Sequence, residues 1–187
     1  GPGPGGPAAG RVLVLMIGAV ITALVLIPGA ISVASALGHE ERTEPVAFGA
    51  GVRRVVIDVS TGGITVRGTD GDEVRGTRRI SRGLQQPTRF EHVDGDTLTL
   101  RASCTVVFAQ RCGVTYDLEV PRAARLELSS RTGSVQVASM DGDVTASSRA
   151  GSVEVEDLAG ALHLSVGGGR VVATGLRSDT VEADAGA

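Results

Sequence analysis

The chain has 187 residues, a formal net charge of −3, 27 glycines and only four aromatic residues, Phe48, Phe90, Phe108 and Tyr116. This length suits one domain, but its core has to be built from Val, Leu, Ile and Ala rather than from large rings. All 18 basic residues are arginine, which excludes Schiff-base lysines, phosphate-loop lysines and Ser-x-x-Lys nucleophiles, and so small a net charge implies no polyionic partner for the chain as a whole.

Residues 1–10, Gly-Pro-Gly-Pro-Gly-Gly-Pro-Ala-Ala-Gly, are expected to be a disordered tail. Val12 to Gly38 then form a run of 27 uncharged residues, and a helix of ~20 residues crosses the ~30 Å hydrocarbon layer. The reading is a single transmembrane anchor over residues 11–38, with the C-terminal part outside the cytoplasm. Its alternative is a signal segment cleaved near Ala36: Pro28-Gly29 breaks the helix, and Ala34-Ser35-Ala36 has the small-x-small form of a cleavage site. The apolar run is longer than the ~7–15 residues usual in such segments, which favours the anchor. Either way the remainder is exported. Residues 39–50, with Glu40, Glu41, Arg42, Thr43, Glu44 and Pro45, show no periodicity and read as a linker, leaving 51–187 as an extracytoplasmic β-repeat domain.

Strands are predicted from there on. Val55, Ile57 and Val59 alternate with polar neighbours, Gly62-Gly63 turns the chain, and Ile64 and Val66 alternate again. The stretch from Val74 to Arg89 carries Arg75, Arg78, Arg79, Arg82 and Arg89 with no acid among them. It reads either as a solvated edge whose charges block edge-to-edge pairing or as a contact for an anionic ligand, whether cell-wall polymer or lipid head groups. Phe90, Val93, Leu98 and Leu100 frame a turn at Asp94-Gly95-Asp96. Cys104 and Cys112 enclose seven residues between strand-like runs, a spacing that suits a disulfide across a bulged hairpin. The chain-entropy model assigns such a bridge about 2.5 kcal/mol; two unrelated buried thiols are the other reading. Val114 to Pro121 is an alternating strand closed by proline.

From Arg125 the chain repeats every 18 residues: Gly133, Gly151 and Gly169 coincide, as do Val135, Val153 and Val171, and Met140, Leu158 and Leu176. Aligning Gly62 with Gly133 sets Ile64 on Val135 and Val66 on Val137, so the first coil shares the register of the later ones. The expected fold is all-β, a β-helix or solenoid-like stack of short strands, with Val ladders inside, Ser134, Gln136, Glu154 and Arg170 outside, and the four glycines at the corners. About eight coils at ~4.8 Å would make a rod on the order of 40 Å long. The last coil, reached at Ala187, is expected to be open to self-association.

Gly113-Val-Thr-Tyr-Asp-Leu-Glu-Val-Pro121, followed by Arg125-Leu-Glu-Leu-Ser-Ser-Arg-Thr-Gly-Ser-Val-Gln-Val137 and further Gly-x-Val-x-Val units, resembles the bacterial adhesin-like family of β-strand repeat proteins, the toast-rack domains of unknown function. The resemblance covers Val52 to the end. It implies a right-handed β-helix-like or stacked-strand ectodomain, membrane-tethered, in the cell envelope, with no catalytic residues to transfer and in some members a link to envelope-stress sensing.

The remaining chemistry is sparse. Three Asp-Gly-Asp triplets, at 70–72, 94–96 and 141–143, resemble calcium ligands, but an Asp-Gly turn explains each alone. No Gly-x-Ser-x-Gly elbow is present, and His39, His92 and His163 lie apart without a metal-ligand motif, His163 reading as an outward residue. No cofactor is expected. Nucleic acid is disfavoured by 17 arginines against 21 acids beyond Arg11 and by the lack of aromatic platforms. The expectation is a non-enzymatic, membrane-anchored adhesin or scaffold that binds cell-wall polymer or another envelope protein. Its alternatives are the ectodomain of an envelope-stress sensing or regulatory system and, less favoured, a polysaccharide-active β-helix enzyme.

Overall fold

A computed structural model describes residues 40–82, 86–104 and 112–186. The tail at 1–10 and the segment 11–38, as anchor or signal, lie outside the described residues, and among those described no helix is long and apolar enough to cross a membrane. The fold is all-β. Its strands are β1 (Glu40–Ala50), β2 (Arg54–Thr61), β3 (Ile64–Thr69), β4 (Glu73–Arg82), β5 (Thr88–Asp94), β6 (Thr97–Ser103), β7 (Gly113–Pro121), β8 (Arg125–Thr132), β9 (Val135–Met140), β10 (Val144–Leu158), β11 (Leu162–Thr174) and β12 (Val181–Ala185).

Two layers face each other across an aliphatic core. One layer runs β5-β6-β2-β8 and on to the first half of β10 and β11, and the other runs β1-β4-β7-β3-β9 to the second half of β10. Coil-to-coil pairing is parallel and offset by 18 residues: Val144 lies opposite Leu126 and Leu162, and Val153 opposite Val135 and Val171. Because successive strand residues point to opposite sides, this register stacks like on like. Val135, Val137, Val153 and Val155 are buried, while Gln136 and Glu154 face out. Ile64 opposes Val135 and Val66 opposes Val137, the register in which Gly62 aligns with Gly133. Each fully buried Val or Leu contributes roughly 1.5–3 kcal/mol of transfer free energy.

Sequence order and stacking order differ. The coil formed by β2 and β3 lies between β6–β7 on one side and β8–β9 on the other. After β3 the chain leaves the stack through β4, antiparallel to β7, and β5, antiparallel to β6, and re-enters through β6 and β7. The irregular middle is therefore an excursion that builds one end of the stack. It also reduces the coil number: among the described residues five coils stack, β6–β7, β2–β3, β8–β9, β10 and β11, followed by β12, instead of about eight.

A second correction concerns residues 40–50. Read as a linker, they form β1, which pairs antiparallel with β4 from Glu40 opposite Arg82 to Ala50 opposite Glu73, with an irregularity between Ala47 and Gly49. The charges at 40–45 mask an alternation in which Glu44, Val46 and Phe48 are half-buried between exposed neighbours, and Val46 and Phe48 pack on the core.

The corners depend on glycine. Gly133 and Gly151 have φ of 144° and 151°, and a Cβ on either would lie 1.9–2.0 Å from the carbonyl oxygen of Gly62 or Gly133 in the coil beneath. No side chain fits such a contact. Gly62 and Gly169 extend the same column. Beside it, the buried Ser130 and Ser148 hydroxyls donate to the oxygens of Gly62 and Gly133 at 3.3 and 3.2 Å, satisfying carbonyls that the turn leaves over.

Candidate functional site

The arginine run of β4 is divided by the strand's own period of two. Arg75 and Arg79 point outward; Arg78 turns inward between the layers, its side chain only 12% exposed. There it donates to both Glu91 oxygens on β5 at 2.5 Å and to Glu44 on β1. The Tyr116 hydroxyl donates to Glu91 at 2.9 Å. The hydrogen bond from Arg78 holds the Glu44 carboxyl below the usual carboxylate range. Burial opposes the Arg78 charge, but its bonds to Glu44 and Glu91 outweigh that and raise its pKa. Burial, then the bond to Glu91, push the Tyr116 hydroxyl well above the ordinary phenol value.

The other members of the run also meet acids. Arg75 pairs with Glu119 at 2.9 Å, Arg79 with Glu41 at 3.4 Å, and Arg89 lies 3.8 Å from Glu44. Arg82 lines a cleft of about 130 Å³ with Arg42, Arg89 and Glu44. Cys104 and Cys112 form a disulfide, with Cα atoms 6.0 Å apart, and the Cys104 amide donates to Ser60 Oγ. The Asp-Gly-Asp triplets fall at three separate turns, and Arg122 supplies the positive partner of Asp70 and Asp141, at 3.2 and 3.8 Å. His163 is exposed and its Nδ1 lies 3.1 Å from Glu182.

A different place has the geometry of a site. An open concavity of about 640 Å³ crosses the first layer near its corner, lined by Asp58, Arg101, Ser129, Arg131, Ser147, Arg149, Ser165 and neighbours. Five of these form one outward row, because Arg101 lies opposite Asp58, Asp58 opposite Ser129, Ser129 opposite Ser147 and Ser147 opposite Ser165. Arg131 and Arg149 come next along their strands, held in register by the flanking pairs Ser130–Ser148 and Thr132–Ala150. Among the described residues, no acid lies within ion-pair distance of Arg101, Arg131 or Arg149. Three guanidiniums face one carboxylate around a floor of hydroxyls, so the concavity can donate many hydrogen bonds to an anion.

Sequence reasoning passed over this constellation. Its signal was the tripeptide Ser129-Ser130-Arg131, returning as Ser147-Ser148-Arg149 one period later. Between the β8–β9 coil and β10, every other outward charged position changes: Arg125 becomes Asp143, Glu127 becomes Thr145 and Asp141 becomes Ala159, while the neutral Gln136 becomes Glu154. Arginine alone is kept.

No family model matches the chain, and no curated protein matches it in sequence. Among solved structures, it is similar to a candidate cell adhesion protein from Clostridium sporogenes, with 8% identity over 78% of this chain and 99% of that one and a TM-score of 0.44. It is also similar to a candidate lipid binding protein from Parabacteroides distasonis, with 11% identity over 78% of this chain and 63% of that one and a TM-score of 0.46.

Proposed function

We propose that this chain is a non-enzymatic binding module of the bacterial cell envelope, an adhesin or scaffold held at the membrane by residues 11–38, with the Ser/Arg concavity as its contact surface. The observation that carries the reading is the pair Arg131 and Arg149, exposed on adjacent coils without acidic partners among the described residues and flanked by the Ser129–Ser147–Ser165 row. A surface that only needs to be soluble intersperses charges of both signs, as Arg54 does with Glu127 and Arg125 with Asp143 elsewhere on the same layer. Retention of the full chain on isolated envelope material tests the module. The expected result is binding at low ionic strength and release by salt, since exposed charge pairs are screened beyond a Debye length of ~10 Å at 0.1 M. A chain that ignores every envelope fraction sinks the reading.

A further inference from the structure

We infer that the ligand is a linear, polyhydroxylated polyanion laid across the coils, with its oxyanions on Arg101, Arg131 and Arg149 and its hydroxyls on the serine row. The inference rests on the concavity being the contact surface, and it adds the ligand's chemical class.

Charge is the first argument. Like charges directly opposite on neighbouring strands repel. Arg54 and Arg125 also lie opposite each other, but each has its own acid, Glu127 at 2.5 Å and Asp143 at 3.1 Å. Arg131 and Arg149 have none among the described residues. Their guanidinium-bearing strands are ~4.8 Å apart, and an anion from outside would relieve the repulsion. A guanidinium fork grips phosphate and carboxylate oxygens in the same way.

Shape and lining narrow the class. The wall is drawn from β6, β2, β8, β10 and β11, neighbours in the sheet, and four inter-strand steps of ~4.8 Å span ~19 Å. That suits an extended chain better than a single small anion. Ser129, Ser147 and Ser165 recur once per coil and can donate or accept, and Asp58 accepts from a ligand hydroxyl. Among the described residues no aromatic ring lines the concavity, and Ala102 is the one hydrophobic side chain there. A neutral sugar therefore has no ring to stack on, and an acyl chain has no trough.

The test measures binding of the full chain to poly(glycerol phosphate), to polygalacturonate and to neutral dextran. We expect binding to at least one polyanion, weakened by salt, and none to dextran; the two polyanion arms tell a phosphodiester from a carboxylate ligand. Arg131→Gln/Arg149→Gln should bind at least about tenfold more weakly, the scale of two lost charge-assisted contacts. The charge-matched Arg125→Gln/Arg177→Gln should bind within about twofold of the parent. The first variant should also melt at the same or a higher temperature than the parent, because it removes a repulsion. A lower melting temperature, undiminished polyanion binding, equal binding to dextran, or loss of binding on Arg75→Gln/Arg79→Gln instead would each overturn the inference. A parent that binds neither polyanion but is retained by envelope material overturns the ligand class alone. Failure on both overturns the module as well.

Discussion

Two regions of this molecule are rich in arginine, and they treat it in opposite ways. At the end built by β1, β4, β5 and β7 the strands have unlike sequences, so each arginine meets a neighbour chosen independently: Arg75 meets Glu119, Arg79 meets Glu41, and Arg78 meets Glu44 and Glu91. In the repeat from β8 onward each strand lies against a near-copy of itself. A residue kept at a repeated position is then stacked on its own kind. For valine that builds a ladder of buried side chains; for arginine it builds a concentration of positive charge with no acid in ion-pair distance among the described residues. Repetition is thus a means of making a core and, at Arg131 and Arg149, a means of placing like charges side by side, as the proposed contact surface requires.

The sharpest way to break this comparison is at the corner glycine column, which only the repeated coils use. Gly133→Ala forces a Cβ to within 1.9 Å of the Gly62 carbonyl oxygen at a φ of 144°. A cost of about 4 kcal/mol or more is expected, enough to remove much of a domain's stability in urea unfolding. The matched change at the β5–β6 hairpin, Gly95→Ala, has φ of 58° and open space around it. It should cost about 1 kcal/mol, the ordinary left-handed penalty. Equal costs would mean that the glycine column does not set the corner.

The next largest effect belongs to the other region. Arg78→Met removes the cation that Glu44 and Glu91 share across the layers, leaving Glu91 with the Tyr116 hydroxyl and Glu44 with Arg42 and Arg89, and should lower unfolding stability by about 3 kcal/mol. Polyanion binding should survive at temperatures where the variant is folded. Loss of binding in that folded state would move the site to β4 and end the contrast.

Smaller effects follow from pH. Glu44 is held below its reference value of 4.5 in the fold, so its contribution is present above that value and fades as pH falls through the folded pKa. Tyr116 is raised above its reference value of 10.0; its contribution is complete below pH 10 and is lost as pH rises further. Urea midpoints followed with pH should fall at both extremes. Tyr116→Phe should flatten the alkaline limb and Arg78→Met the acid limb. An alkaline limb unchanged in Tyr116→Phe would remove Tyr116 as its cause.

What was legible in the chain was whatever the chain repeats. The alternation of Val55, Ile57 and Val59 and the return of Gly133 as Gly151 need only neighbouring residues to be read, and they fix which side chains face inward. The strand at 40–50 was hidden because its charged outward residues drown the weak inward set of Glu44, Val46 and Phe48. The neutralisation of Arg78 was illegible for another reason: Glu44 and Glu91 are 34 and 13 residues away and arrive on different strands. The serine and arginine of the concavity were in plain view twice, but nothing in the sequence says that no acid approaches them.

The sequence by itself determined the all-β class, the 18-residue coil, the inward ladders and the glycine corners, because a period-two pattern within a fixed repeat allows one register that buries the valines. Tertiary structure decided the order in which coils stack, the capping of one end by β1, β4 and β5, and which arginines are neutralised. Those outcomes depend on contacts between residues far apart in the chain, where a Coulomb or hydrogen-bond partner is set by distance in space and leaves no local trace.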